Sequence, residues 1–215
     1  QGVSSAASDV YKRQHMGNFP TFPVKGKLKM SPDNILNYRI NISEEKGHAG
    51  YYEAMVQEDI KAKLTVTERT GMASYEYPAD QQYGTVIIGG GISATPIEQA
   101  AIVITAPNKC EGYAEGGNFC GLRTPYKVYF VAEFDTDALE SGTWKRNELK
   151  PNTTFAEGEY SGVYFTFDVN KKKNIQYKIG VYYVSVENAR ENLKAENTGW
   201  DFLQIQNQAE SKWNH

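Results

Sequence analysis

The sequence predicts an all-β fold, a large and mostly antiparallel β-sandwich followed by two C-terminal linker helices. Three observations carry this expectation. Segment after segment alternates apolar and polar side chains with period two, and turn chemistry lies between the segments. The chain holds 9 Phe, 15 Tyr and 3 Trp, side chains that suit pleated, half-buried surfaces. After residue 185 the hydrophobic period changes from two to about 3.6.

The elements follow in order. Residues 1–14, QGVSSAASDVYKRQ, end on Lys12-Arg13 with no apolar run before the charges, so they fail as a secretory signal and read as a polar, non-native or disordered tail. They resemble the translated adapter sequence seen at the ends of proteins from fragmentary metagenome assemblies, and the natural protein is expected to extend upstream. Residues 15–185 form the sandwich. Within it, 60–68 (IKAKLTVTE) places Ile60, Ala62, Leu64 and Val66 on one face against Lys61, Lys63, Thr65 and Thr67 on the other. Residues 72–77 and 85–88 continue the pattern on either side of Pro78 and the polar Asp80-Gln81-Gln82. Residues 127–135 (KVYFVAEFD) line up Val128, Phe130, Ala132 and Phe134. Residues 162–168 and 174–185 form a hairpin across 169–173, and 179–184 are apolar almost throughout, as in a strand buried on both faces. At least eight strands thus precede the first helix.

Residues 186–215 are the helical linker. Val186, Ala189 and Leu193 line one helical face, and Ser185 sits where an N-cap accepts from the open amides of the first turn. Gly199 is a stop, and Phe202, Ile205, Ala209 and Trp213 repeat the stripe in a second helix. Neither helix is long enough to be stable alone in water, so each needs a partner surface: the sheet, or something beyond His215.

Composition narrows the function classes. With 40% hydrophobic and 23% charged residues the chain is ordinary globular material, and 23 basic against 26 acidic residues give a net charge of −3. No basic stripe is available to neutralise a phosphate backbone, which excludes nucleic acid as a partner. The basic run Lys171 to Lys173 reads as a solvated turn. No apolar run approaches the roughly 20 residues of a transmembrane helix. Cys110 and Cys120 either close a short loop or stay two separate thiols; spacing alone does not choose. Neither has a neighbouring histidine, since His15, His48 and His215 are distant in sequence, so a zinc site has little support.

Three motifs invite a chemical reading. Gly89-Gly90-Gly91 follows a strand, but no Lys-Ser/Thr pair comes after it, so it reads as a flexible turn rather than a phosphate loop. Glu133 and Asp135, two apart on one strand, share a face and present the carboxylate pair a glycosidase needs, or else simply occupy the polar face opposite Val128 to Phe134. In Asn18-Phe19-Pro20-Thr21-Phe22-Pro23, Phe19 or Phe22 forms either a sugar platform or a packed loop plug.

Five segments, taken in order and spacing, resemble glycoside hydrolase family 92, the exo-acting α-mannosidases. They are GNFPTFP at 17–23, AGYYEAMVQEDIKAKLTVTERTGMASYEYP at 49–78, GNFCG at 117–121, KVYFVAEFD at 127–135 and IGVYYVSVENARENLKAENTGWDFLQIQNQAESKW at 179–213. The last, running from strand to helix, is the most specific. Residues 89–108 depart from the family's pattern, which leaves their strand register open.

The resemblance implies an N-terminal sandwich domain that packs, through two linker helices, against a larger α-helical toroid absent from this chain. It implies calcium-dependent, inverting removal of terminal α-mannose from glycans. The general acid, the general base and the calcium ligands are then expected in the missing catalytic domain, with neither catalytic residue nor metal ligand in this chain. Asn18 and Phe19 are expected to line the sugar cleft. A secreted, periplasmic or cell-surface location is expected of the parent protein, and the isolated chain is expected to be inactive, with the stripe holding Phe202 and Trp213 exposed by loss of its helical partner. Two alternatives are a stand-alone carbohydrate-binding sandwich with Tyr and Trp platforms, and an independent hydrolase working through Glu133 and Asp135.

Overall fold

The computed structural model describes residues 18–32, 41–90, 97–117 and 125–213. Among them are fourteen strands: β1 (Thr21–Lys25), β2 (Ile42–His48), β3 (Tyr51–Val56), β4 (Ile60–Val66), β5 (Thr70–Glu76), β6 (Tyr83–Gly90), β7 (Ile97–Ala106), β8 (Lys109–Gly116), β9 (Tyr126–Phe134), β10 (Glu140–Lys145), β11 (Glu148–Pro151), β12 (Phe155–Glu157), β13 (Ser161–Asp168) and β14 (Asn174–Tyr182). Two helices follow, α1 (Val186–Glu196) and α2 (Phe202–Trp213). Residues 1–17, His215, Gly91 and Cys120 fall outside the described residues.

The strands form two sheets, one of five in the order β1-β6-β13-β10-β11 and one of nine in the order β12-β7-β8-β9-β14-β5-β4-β3-β2. Every pairing is antiparallel. The alternation read from the sequence sets which side chains enter the space between the sheets. From the larger sheet come Ile60 and Ala62 on β4, Ala73 and Tyr75 on β5, Phe130, Ala132 and Phe134 on β9, and Ile175 and Tyr177 on β14. From the smaller sheet come Val86 and Ile88 on β6 and Val163, Phe165 and Phe167 on β13. Phe134 is the hub of this layer, with ring centroids 4.9 Å from Phe165, 5.0 Å from Phe167 and 5.3 Å from Tyr177. Tilted contacts at these distances suit the quadrupoles of the rings.

Both sheets are also covered on their outer faces. On the smaller one, Phe22, Val24, Ile87, Trp144 and Tyr164 form a second apolar cluster. On the larger one lie the helices. Val131 packs against Ala189 and Leu193 of α1, and Met72 against Phe202 and Ile205 of α2. The sheet is therefore the partner surface of both helical stripes. This double burial explains why β13 is buried at seven of its eight positions.

Several expectations are corrected. Residues 162–168 and 174–185 do not pair: β13 lies between β6 and β10 in the smaller sheet and β14 between β5 and β9 in the larger. The link between them crosses from sheet to sheet. Turn chemistry marks where a chain reverses, but only non-local packing decides which sheet receives the next strand. β14 ends at Tyr182, and Tyr183 and Val184 are each 66% exposed rather than buried on both faces. Gly89 and Gly90 are not a turn but the buried end of β6, paired with Gly162 and Ser161. A Cβ on Gly90 would lie 2.7 Å from Ile102 Cδ1 of the facing sheet, so close approach of the layers accounts for the missing side chain there. α1 stops at Glu196, where the amide of Asn197 closes on the Leu193 carbonyl, and Gly199 belongs to the link that follows. In α2 the stripe is Phe202, Ile205 and Ala209; Trp213 is 68% exposed. The Ser185 cap forms as expected, its Oγ accepting from the Asn188 amide at 3.1 Å.

Candidate functional site

One end of the sandwich gathers the residues that the sequence marks for sugar binding. β7, β8 and β9 are in register there, with Ile97 opposite Gly116 and Gly116 opposite Tyr126. Asn18 sits at the same end, 5% exposed, where its Oδ1 accepts a hydrogen bond from the Tyr126 hydroxyl at 3.1 Å. Its Nδ2 is buried and has no partner among the described residues. A buried amide donor without an acceptor is costly, so this group is poised to donate to a ligand or chain oxygen. Phe19 follows. Its ring stands 4.2 Å from Phe130, tilted by 38°, and it also packs on Ile97, Ala100 and Ala114. The Pro20 carbonyl then accepts from the Gly89 amide at 2.8 Å and hands the chain to β1. Phe22 points to the opposite side of the smaller sheet and is buried in its outer cluster. The Phe19 ring is thus taken up in packing, as the plug alternative has it, and amide, phenol and ring do not supply the acid and base of glycoside hydrolysis.

The carboxylates at 133 and 135 are each matched to cations. Glu133 meets Lys109 Nζ at 3.1 Å and Lys178 Nζ at 3.7 Å. Asp135, only 5% exposed, meets Lys172 Nζ at 2.6 Å and accepts from the Gln176 amide at 3.1 Å. Lys172 of the basic turn is thus engaged, while Lys171 remains largely solvated beside Asp168. These pairs read as the structural alternative raised above. Cys110 is buried and its thiol is pushed up well beyond its usual range, first by burial and then by Glu111, so it is not a poised nucleophile.

Sequence reasoning missed the group that fixes the linker helices. Lys178 of β14 is buried on the outer face of the larger sheet, under the link between α1 and α2. Its Nζ donates to the Asn197 carbonyl at 3.1 Å and lies 4.4 Å from the Trp200 ring centroid. Burial lowers the ammonium's pKa, Glu133 opposes that shift, and Lys109 adds to it. A lone lysine inside the apolar run from Ile175 to Val181 was the available signal. Glu196, the last residue of α1, accepts from the Thr67 hydroxyl at 2.6 Å and the Arg69 amide at 3.0 Å and pairs with the Arg69 guanidinium. Burial pushes its carboxyl up, but these three donors together hold it below its ordinary 4.5. The end of α1 and the link after it are therefore pinned at named points and do not merely lie on the sheet.

No group of three or more His, Cys, Asp or Glu side chains among the described residues is arranged to hold a metal ion, so none of them fits as a calcium site. Nor, among these residues, is any helix long and apolar enough to cross a membrane.

Residues 4–181 match the glycosyl hydrolase family 92 N-terminal domain. An uncharacterized secreted glycosidase of Arthroderma benhamiae is 23% identical over 223 residues, which cover 92% of this chain and 29% of that protein. Among solved structures, the inverting family GH92 mannosidase BT2199 of Bacteroides thetaiotaomicron superposes with a TM-score of 0.78 at 23% identity, over 91% of this chain and 26% of its own. The family GH92 α-mannosidase BT3965 of the same organism gives 0.79 at 23% identity, over 93% and 28%. At this identity the structural likeness speaks for the fold alone. The chain spans between 26% and 29% of the length of these relatives. With its sandwich and register built from the residues above, this chain belongs to glycosyl hydrolase family 92, as an N-terminal domain.

Proposed function

We propose that the chain is the sandwich part of an exported exo-α-mannosidase that removes terminal α-mannose from glycans, with the chemistry carried by a helical catalytic domain downstream. The family 92 N-terminal match across residues 4–181 is the observation that carries this reading. The secreted relative in Arthroderma benhamiae supports the export. Inverting hydrolysis needs an acid and a base about 6.5 to 9.5 Å apart with room for water between them. The candidate pair in this chain is instead neutralised by Lys109, Lys178 and Lys172, which favours an acid and base supplied from elsewhere. Calcium belongs with that domain too, where it would help bind and distort the sugar.

The sandwich's own part is positional. Asn18 offers its buried Nδ2 to a sugar hydroxyl, held in place by the Tyr126 hydroxyl, and Phe19 backs it against Phe130. Lys178 and Glu196 fix the helices that carry the chain onward. The test is hydrolysis of an α-mannoside by the full-length enzyme, with the anomer first released followed by NMR and with calcium removed by a chelator. Release of β-mannose, lost on chelation and restored by calcium, is expected; chelator-resistant activity or release of α-mannose refutes the calcium-dependent inverting assignment.

One observation favours the second reading, a stand-alone carbohydrate-binding sandwich. Tyr113, Tyr129 and Tyr182 stand in register across β8, β9 and β14 on the outer face, each partly exposed. Lys127 lies 4.4 Å over the Tyr113 ring, however, and Tyr182 packs on the α1 cluster, so this ladder is already partly covered. Calorimetry with mannosides on the isolated chain separates the two readings.

A further inference from the structure

Among the described residues, Asn197 alone has both polar atoms of its side chain buried without a hydrogen-bond partner. It is 0% exposed, at the point where α1 gives way to the link that leads to α2. Its backbone is fully used: the amide donates to the Leu193 carbonyl at 3.0 Å, and the carbonyl accepts from Lys178 Nζ at 3.1 Å. Neither bond calls for an asparagine side chain, and a φ of −139° is ordinary extended backbone. The neighbouring buried amide behaves differently, Asn192 Nδ2 donating to the Val181 carbonyl at 3.0 Å. Nδ2 and Oδ1 of Asn197 are thus a donor and an acceptor, side by side, that no described protein group satisfies.

We infer that the Asn197 side chain is a binding site for buried water, one or two molecules, at the joint between α1 and the link. A buried donor and a buried acceptor left unmade on one side chain are costly, and native folds pair such groups with protein or with ordered water. Turning the amide over does not help, because it only exchanges two orphaned atoms. The chemistry of the occupant follows from the pair. An anion would satisfy Nδ2 and leave Oδ1 bare, and a cation would do the reverse; only a molecule that both donates and accepts satisfies the two together. Both atoms are sealed from solvent within this chain, so a sugar or a side chain from elsewhere has no path to them, and water is left. Buried water typically makes two to four hydrogen bonds. Nδ2 and Oδ1 supply two, and Lys178 is placed to supply a third. Its ammonium carries three N–H groups, of which one goes to the Asn197 carbonyl and one faces Glu133 at 3.7 Å. That ammonium is itself only 6% exposed and lies 4.4 Å from the Trp200 ring centroid. The water therefore joins the end of α1 to β14 and helps to fix the path of the chain toward α2.

Amide hydrogen exchange in the full-length protein, followed peptide by peptide by mass spectrometry, tests this through two substitutions of opposite meaning. Asn197→Leu keeps the size of the side chain and removes its donor and acceptor. Asn197→Ser keeps a group that donates and accepts and leaves room for water. Held water predicts exchange across residues 197–201 at least about tenfold faster in Asn197→Leu, and within about threefold of the parent in Asn197→Ser. A dry site predicts the opposite sign for leucine, because an apolar side chain removes the orphaned groups. Exchange that is unchanged or slowed in Asn197→Leu therefore overturns the inference. Equal acceleration in both variants makes the effect one of shape and overturns it as well. Should leucine prevent folding, a crystal structure of the unmodified full-length protein decides. Ordered water within about 2.7 to 3.2 Å of Asn197 Oδ1 or Nδ2 supports the inference; an amide that is dry, or paired with protein groups alone, overturns it.

Discussion

Gly180 is where a single methyl group should separate α1 from the sheet. A Cβ built on it would lie 2.5 Å from the Ala189 carbonyl oxygen, 3.0 Å from Leu193 Cβ and 3.3 Å from the Leu193 amide nitrogen. Two of these are backbone atoms of a regular helix and cannot swing aside. Gly180→Ala therefore forces α1 outward by roughly 0.7 to 1 Å to restore ordinary contact, or bends β14 by a similar amount. Overpacking of this kind costs about 1 to 3 kcal/mol. The contacts at risk are those of Ala189 and Leu193 with Val131, and burying a leucine alone is worth about 1.5 to 3 kcal/mol. The geometric penalty and the lost burial are alternative routes for one strain, so they do not add; a loss of about 2 to 3 kcal/mol is expected. Lifting α1 would also stretch the Lys178 to Asn197 hydrogen bond, now 3.1 Å. Urea unfolding measures the loss, and amide exchange localises it. Protection should fall along α1 while the core strands β9 and β13 stay protected. A variant within about 0.5 kcal/mol of the parent, with α1 still protected, would refute the claim that close backbone approach seats this helix.

Further expectations follow from the same contacts. Phe134→Ala removes the hub ring between the sheets and should cost about 3 to 5 kcal/mol, read by denaturant unfolding; a cost below about 1.5 kcal/mol would mean the layer repacks freely. The Glu196 carboxyl is depressed in the fold, so its stabilisation is present above the ordinary carboxylate range and is lost as pH falls through its lowered value. Glu196→Gln should thus be less stable than the parent at pH 7, with the two curves converging as pH falls through the lowered carboxyl value; a constant gap at all pH values would contradict this. Glu133→Gln and Asp135→Asn should weaken stability through Lys178, Lys109 and Lys172 yet leave the full-length enzyme's kcat within about twofold. A loss of a hundredfold or more would make them catalytic.

Much of this fold was legible because its strands announce themselves locally. The alternation in 60–68 and 127–135 gave β4 and β9 their faces, and Ser185 with Val186, Ala189 and Leu193 gave α1 its start and its stripe. What was not legible is non-local. Nothing near residues 169–173 tells that β13 and β14 part company into different sheets, because a hairpin and a sheet-crossing link use the same turn residues. Gly89 and Gly90 carry turn chemistry in sequence and strand geometry in space, and the reason for Gly90 is a facing isoleucine. Trp213 fits the helical stripe by spacing, yet the sheet runs out beneath it and it stays exposed. At the candidate site, Asn18 and Phe19 were marked by resemblance to the family, whereas Tyr126, which orients Asn18, sits 108 residues away and only strand pairing brings it there. Lys178 and Glu196 were missed for the same reason: their partners come from the link and the turn that the helices happen to cross.

The most direct test of the central claim compares two proteins in one assay: the chain of residues 1–215 and the protein encoded by its full reading frame, each given an aryl α-mannoside with calcium present. Hydrolysis by the full-length protein and none by the short chain is the expected result. Hydrolysis by the short chain alone, or a full-length protein that binds mannose without cleaving the glycoside, would contradict the assignment of the chemistry to a downstream domain.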